Sequence, residues 1–81
     1  MKFPCEFTYK AFGKNNAEFI TSVEKIFAES HPEIKKDSWQ KKDSKDGNYL
    51  SISITVTAES KQKLDEVYQQ MTDDKYILMA L

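Results

Sequence analysis

Leu50, Ile52, Ile54 and Val56 alternate with Ser51, Ser53, Thr55 and Thr57, a period of two that an extended strand with one buried and one wetted face satisfies. Immediately before it, Asp46-Gly47 or Gly47-Asn48 supplies a two-residue turn of the kind that pairs a strand with its predecessor. That predecessor, Ile34 to Ser44, is polar and lysine-rich with Trp39 as its one aromatic, and its own propensity says little. The hairpin decides the matter. A loop at Asp46-Gly47 puts Trp39 opposite Ile54 and the alternative loop puts it opposite Val56, so both registers send Trp39 to the buried face. The lysines then mark this strand as a charged sheet edge.

The remaining elements fall around the hairpin. Glu6 to Phe12 alternates, with Phe7, Tyr9 and Ala11 on one side and Thr8, Lys10 and Phe12 on the other; Lys10 assigns the odd set to the core. Gly13 breaks this strand. Asn15 followed by Glu18 has the form of a helix N-cap with a reciprocating carboxylate, and Phe19, Ile20, Val23, Ile26 and Phe27 recur on one helical face. Ser30-His31-Pro32 ends the helix, because a residue before proline is pushed out of helical geometry. A second helix is predicted over Glu59 to Met71, with Leu64, Val67, Tyr68 and Met71 on one face and Thr57 or Ser60 as its cap. After Thr72-Asp73-Asp74-Lys75, the segment Tyr76 to Leu81 reads as a short strand that is apolar on both faces.

Strand, helix, strand, strand, helix, strand, with right-handed crossovers, specifies an α+β, ferredoxin-like βαββαβ sandwich: a four-stranded antiparallel sheet with two helices on one face. At 81 residues this is one domain spanning positions 1–81, with a thin core. In that topology the second and fourth strands are edges. An uncharged apolar edge is an association hazard unless something covers it. Tyr76, Ile77, Leu78, Met79 and Leu81 are therefore the candidate interface, the alternative being that Phe3-Pro4-Cys5 shields them.

Composition excludes more than it suggests. All 12 basic residues are lysine, against 13 acidic residues, for a net charge of -1. Arginine is the side chain best shaped to grip phosphate or read guanine, and polyanion binding needs surplus positive charge, so nucleic acid is not the expected partner. One cysteine and one histidine cannot build a zinc site or an internal disulfide. No cofactor or metal is expected. No apolar run has the length of a signal peptide or a membrane span, and the expected location is the cytoplasm. Cys5 lacks an evident catalytic base and orienting group, so it reads as a structural thiol, and His31 as a residue suited to a helix carboxyl end. Tyr49 on the outer face of the third strand could stack a base, but one aromatic among Ser51, Ser53 and Thr55 is no stacking platform. Lys35, Lys36, Lys41, Lys42 and Lys45 are interrupted by Asp37, Asp43 and Asp46, which suits a solvated edge.

Phe3-Pro4, Phe7-Thr8-Tyr9-Lys10 with Gly13 three positions on, and Ser44-Lys45-Asp46-Gly47-Asn48-Tyr49 running into Ser51-Ile52-Ser53-Ile54 resemble the small bacterial YbeD-like proteins of uncharacterised function. The likeness covers nearly the whole chain, departing at Asp46, an extra residue in the hairpin, and in having no longer amino-terminal extension. The resemblance implies a fold close to ACT domains, regulatory modules that bind small ligands and control metabolic enzymes. It brings no catalytic residues with it. By analogy with ACT domains it implies a ligand loop at Gly13, Lys14, Asn15 and Asn16, where a helix N-terminus could receive a carboxylate. A turn glycine and a capping asparagine are the simpler reading of the same residues. The expected function is a non-enzymatic regulatory or protein-interaction module whose partners are a second copy, a metabolic enzyme or a small molecule; the alternative is a single-stranded RNA-binding module using the open sheet face.

Overall fold

The computed structural model describes residues 2–81, apart from the side chain of Lys36. Strand β1 (Cys5–Lys14) leads into helix α1 (Ala17–Ser30); a 3-10 turn (Lys36–Ser38) and strand β2 (Gln40–Asp43) follow, then strand β3 (Tyr49–Ala58), helix α2 (Lys61–Asp73) and strand β4 (Ile77–Ala80). The strands form one antiparallel sheet in the order β2-β3-β1-β4. This is the ferredoxin-like α+β arrangement the element order predicts, with the two long strands central and the two short ones at the edges.

Strand β1 sets the frame for the core. Tyr9 faces Ile54, Ala11 faces Ile52 and Gly13 faces Leu50, and all six are buried, so alternate residues of the central strands make one apolar surface. Phe19, Val23, Ile26 and Phe27 of α1 and Leu64, Val67 and Met71 of α2 join that surface in a single cluster. Trp39 is buried with them, its ring edge-on to Phe27 at 6.2 Å, but it precedes the ladder rather than pairing in it: the strand expected over Ile34 to Ser44 is confined to Gln40–Asp43, after the 3-10 turn. Gly13 marks the closest approach of α1 to the sheet: a Cβ there would lie 2.7 Å from Cγ and Cε1 of Phe19.

Local chemistry moves several predicted boundaries. Asn16, not Asn15, caps α1, its Oδ1 accepting from the Phe19 amide at 3.0 Å. Asn15 is drawn elsewhere: its amide donates to the Asn48 carbonyl at 2.9 Å and its side-chain Nδ2 to the Gly47 carbonyl at 3.0 Å. Helix α2 starts two residues later than expected, with Ser60 as the cap. The β2–β3 ladder runs from Gln40 opposite Ser53 to Asp43 opposite Leu50, the register of the Asp46-Gly47 loop. The loop itself is longer than two residues, because Asp46 Oδ1 accepts from Ser44 Oγ and the Asn48 amide, at 2.7 and 3.0 Å, and takes over bonds that a tighter hairpin would make across the strands. Among the described residues, Gly47 alone has positive φ, at 77°, the left-handed geometry that glycine adopts without strain.

Edge strand β4 pairs with the second half of β1. Ala80 faces Ala11, Met79 faces Phe12, and Ile77 faces Gly13, so Leu78 is the extra residue of a bulge. Beyond the strand, Leu81 exchanges both backbone hydrogen bonds with Lys10, at 2.8 and 3.0 Å. Phe3 and Cys5 pack against the core at the other end of β1, where Cys5 faces Ala58, and they leave β4 unshielded. Leu78, Met79 and Leu81 are 59%, 56% and 56% exposed. Among the described residues, no helix is long and apolar enough to cross a membrane.

Candidate functional site

Among the described residues, the side chains with intrinsic reactivity do not assemble into a centre. Cys5 is half-buried in β1. His31 caps the carboxyl end of α1, its amide donating to the Phe27 carbonyl at 2.8 Å, and its buried ring lies 6.0 Å from the rings of Tyr9 and Phe27. Its Nδ1 is 3.2 Å from Glu33 Oε1. The Glu33 carboxyl is held below its ordinary range, mainly by its own backbone amide and further by His31 and Lys63. Among the described residues, no three or more of His, Cys, Asp and Glu cluster as metal ligands. A cleft of about 470 Å³ opens beside this pair, with Glu33 and Glu59 against Lys63 on its walls. Its charges are mixed, so it favours neither an anion nor a cation.

Of the four residues of the expected ligand loop, Gly13 does not break the strand: Gly13 and Lys14 are the last two residues of β1, paired with Leu50 and Tyr49, and Asn15 and Asn16 alone lie between β1 and α1. Gly13 is buried under Phe19, Asn15 ties the loop to the β2–β3 hairpin, and Asn16 caps α1. Lys14 is exposed. The structure brings this loop to the predicted interface strand: Lys14 and Asn16 share a cleft of about 370 Å³ with Glu18, Lys75, Tyr76 and Leu78. Tyr76 is held there by an Asx turn, Asp74 Oδ1 accepting from the Tyr76 amide at 2.8 Å, and the Lys75 ammonium lies 5.1 Å from the Tyr76 ring centroid. Two candidates that are far apart in sequence thus form one region at the β4 edge. Of the predicted interface residues, Ile77 belongs to the core, whereas Tyr76, Leu78, Met79 and Leu81 are exposed.

A second region lies on the sheet face away from the helices. In the β1–β3 register Thr8 faces Thr55, Lys10 faces Ser53, and Phe12 faces Ser51; Thr8 and Thr55 join their hydroxyls at 2.9 Å. Lys42 lies across β3 opposite Ser51. Phe12 and Tyr49 share the wall of a cleft of about 210 Å³ with Lys42, Ser44 and Ser51. On its other side Phe12 borders a groove lined by Lys10, Gln40, Lys42 and Ser53. Alternation alone identifies Phe12 as outward-facing. Its position next to Tyr49 follows from the β1–β3 register, which no short-range pattern encodes.

Comparison with known proteins adds a lineage and no chemistry. Residues 1–81 match the family described as a protein of unknown function (DUF493). A UPF0250 protein of Nitrosomonas europaea is 32% identical over 81 residues, covering 100% of this chain and 93% of its own. One from Chromobacterium violaceum is 30% identical over 80 residues, covering 99% and 90%. One from Buchnera aphidicola subsp. Baizongia pistaciae is 36% identical over 86 residues, covering 100% and 90%.

Proposed function

Because this chain belongs to the DUF493 (UPF0250) family of small, YbeD-like bacterial proteins of unknown function, we propose a role inferred from its surface: a non-enzymatic, ACT-like regulatory module that acts in the cytoplasm by docking on a protein. The observation carrying this reading is the β4 edge. Leu78, Met79 and Leu81 are each more than half exposed, and positions 77–81 contain no charged side chain. The opposite edge, β2, reads Gln-Lys-Lys-Asp and is exposed throughout. Charged edges repel a neighbouring strand, and an uncharged apolar edge invites one. Tyr76 and Leu78 border the adjoining cleft beside Lys14, Asn16, Glu18 and Lys75, and aromatic anchors beside pockets are common centres of binding energy. A small-ligand sensor has less support, since Gly13, Asn15 and Asn16 are already engaged in packing, tethering and capping.

The test compares the wild type with Met79→Lys and Leu81→Lys, whose exposed side chains are not needed for folding. Sedimentation across a wide concentration range reads self-association, and quantitative capture from the native cell reads a heterologous partner. The expected result is a protein contact, to a second copy or to an enzyme, weakened at least about ten-fold in both variants, as a charge buried in an apolar interface requires. A wild type that stays monomeric and captures nothing the variants fail to capture overturns the reading. Titration with amino acids and organic acids separates the sensor version, which requires shifts at Lys14, Asn16 and Tyr76.

A further inference from the structure

We infer that the open sheet face around Phe12 and Tyr49 is a binding surface for single-stranded nucleic acid. The inference does not depend on the β4 docking role. A net charge of -1 counts against a polyanion only if the charge is evenly spread, and the fold spreads it unevenly. Lys10, Lys41 and Lys42 border one groove of the open face, whose described lining includes no acid, and Asp43 is the acid on the adjoining cleft. Three lysines on the groove against Asp43 on the cleft leave this part of the face two charges positive, so the rest of the chain carries three negative charges to reach -1. Asp43 is engaged by Asn15, whose Nδ2 donates to its Oδ1 at 3.4 Å.

The face also offers flat apolar surface where a base needs it. Phe12 faces Ser51, and Tyr49 precedes Ser51 by two positions on the same strand face, making the two rings diagonal neighbours within reach of one another. The cleft they border, at about 210 Å³, is smaller than the pockets that enclose drug-sized ligands and suits a single flat ring. Lys10 and Lys42 border the adjoining groove on the far side of Phe12, where a backbone phosphate would follow a stacked base. Ser51 and Ser53 between them provide hydroxyls for base edges. Aromatic faces interleaved with lysines on an exposed sheet are the elements of sequence-tolerant single-strand binding. Without arginine, the planar fork best suited to reading guanine is missing, so the preference would be for unpaired strands rather than for a sequence.

Fluorescence anisotropy with short labelled oligo(U) and oligo(dT) tests this, with a duplex of the same length and heparin as controls. Binding of the single strands is expected to fall with salt at a log–log slope of about -2, as three lysine contacts require. Tyr49→Ala should weaken binding about ten-fold. Lys42→Gln should lower the slope's magnitude by about 0.7, while Lys61→Gln on α2 changes neither affinity nor slope. Both face positions are exposed, and a preserved amide spectrum verifies folding. Absence of binding, equal binding of duplex or heparin, or indifference to Tyr49→Ala overturns the proposal. So would shifts at Phe12, Tyr49 and Ser51 that follow protein concentration and not oligonucleotide, since these would assign the face to a second copy of the chain.

Discussion

Tyr9 shows how one residue can be placed by pattern and yet perturbed by its surroundings. It lies at the centre of an aromatic cluster, with Phe7, Phe27 and Tyr68 at 5.1, 5.3 and 5.4 Å, and no described group pairs with its hydroxyl. Burial foremost, then Tyr68 and Asp65, pushes its pKa up to about 12 from 10.0. The folded chain thus holds this proton more tightly than the unfolded chain does. Its contribution is complete below pH 10 and declines as pH rises from about 10 to about 12, at roughly 1.4 kcal/mol per pH unit for one proton. In Tyr9→Phe the urea midpoint at neutral pH should shift by the equivalent of less than about 1 kcal/mol, because no protein hydrogen bond is lost. The alkaline decline should become shallower, with a remainder from Tyr68, which burial also pushes upward. An unchanged alkaline limb would show that Tyr9 is not the titrating group. Alternation places Tyr9 on the buried face; the ring neighbours that desolvate it come from β1, α1 and α2, and no local pattern brings these together.

At the scale of elements, the two glycines make opposite demands. Gly47 needs its backbone freedom, with φ of 77° and nothing within 4 Å of an added Cβ, so Gly47→Ala should cost about 1 kcal/mol through strain in the turn. Gly13 has ordinary φ but no room, since its Cβ would meet the Phe19 ring; Gly13→Ala should cost about 1–3 kcal/mol through overpacking. Pairing each with a truncation at Phe19 separates the causes. The penalty at Gly13 should shrink when the ring is gone, and that at Gly47 should not, as double-mutant urea titrations would report. The same distinction explains the cap of α1. Asn15 and Asn16 are chemically identical, and sequence reasoning can name either one. The hairpin decides between them, because the Gly47 and Asn48 carbonyls take Asn15 and leave Asn16 to cap the helix.

At the scale of the whole molecule, one core links both helices to the sheet, so the chain should unfold as a unit. Phe19→Ala, at a fully buried site, should lower stability by about 3–5 kcal/mol, a large share of the roughly 5–15 kcal/mol a domain commands. Far-ultraviolet and aromatic signals should shift together to lower denaturant; a transition split between them would mean that the sheet outlasts the helices. The order of elements, the inward positions of β1 and β3 and the burial of Trp39 follow from the sequence by itself, whereas the burial of Ile77 and the exposure of Leu78, Met79 and Leu81 do not. Period and turn chemistry are local, and right-handed crossovers leave one economical way to assemble them. Only tertiary structure decided that Lys14 and Asn16 meet Tyr76 and Leu78, that Phe12 stands next to Tyr49, and that three lysines share the open face of an acidic chain. These juxtapositions depend on strand register and on a bulge at Leu78, set by packing among residues distant in sequence, where a one-position slip would reverse each side chain's face.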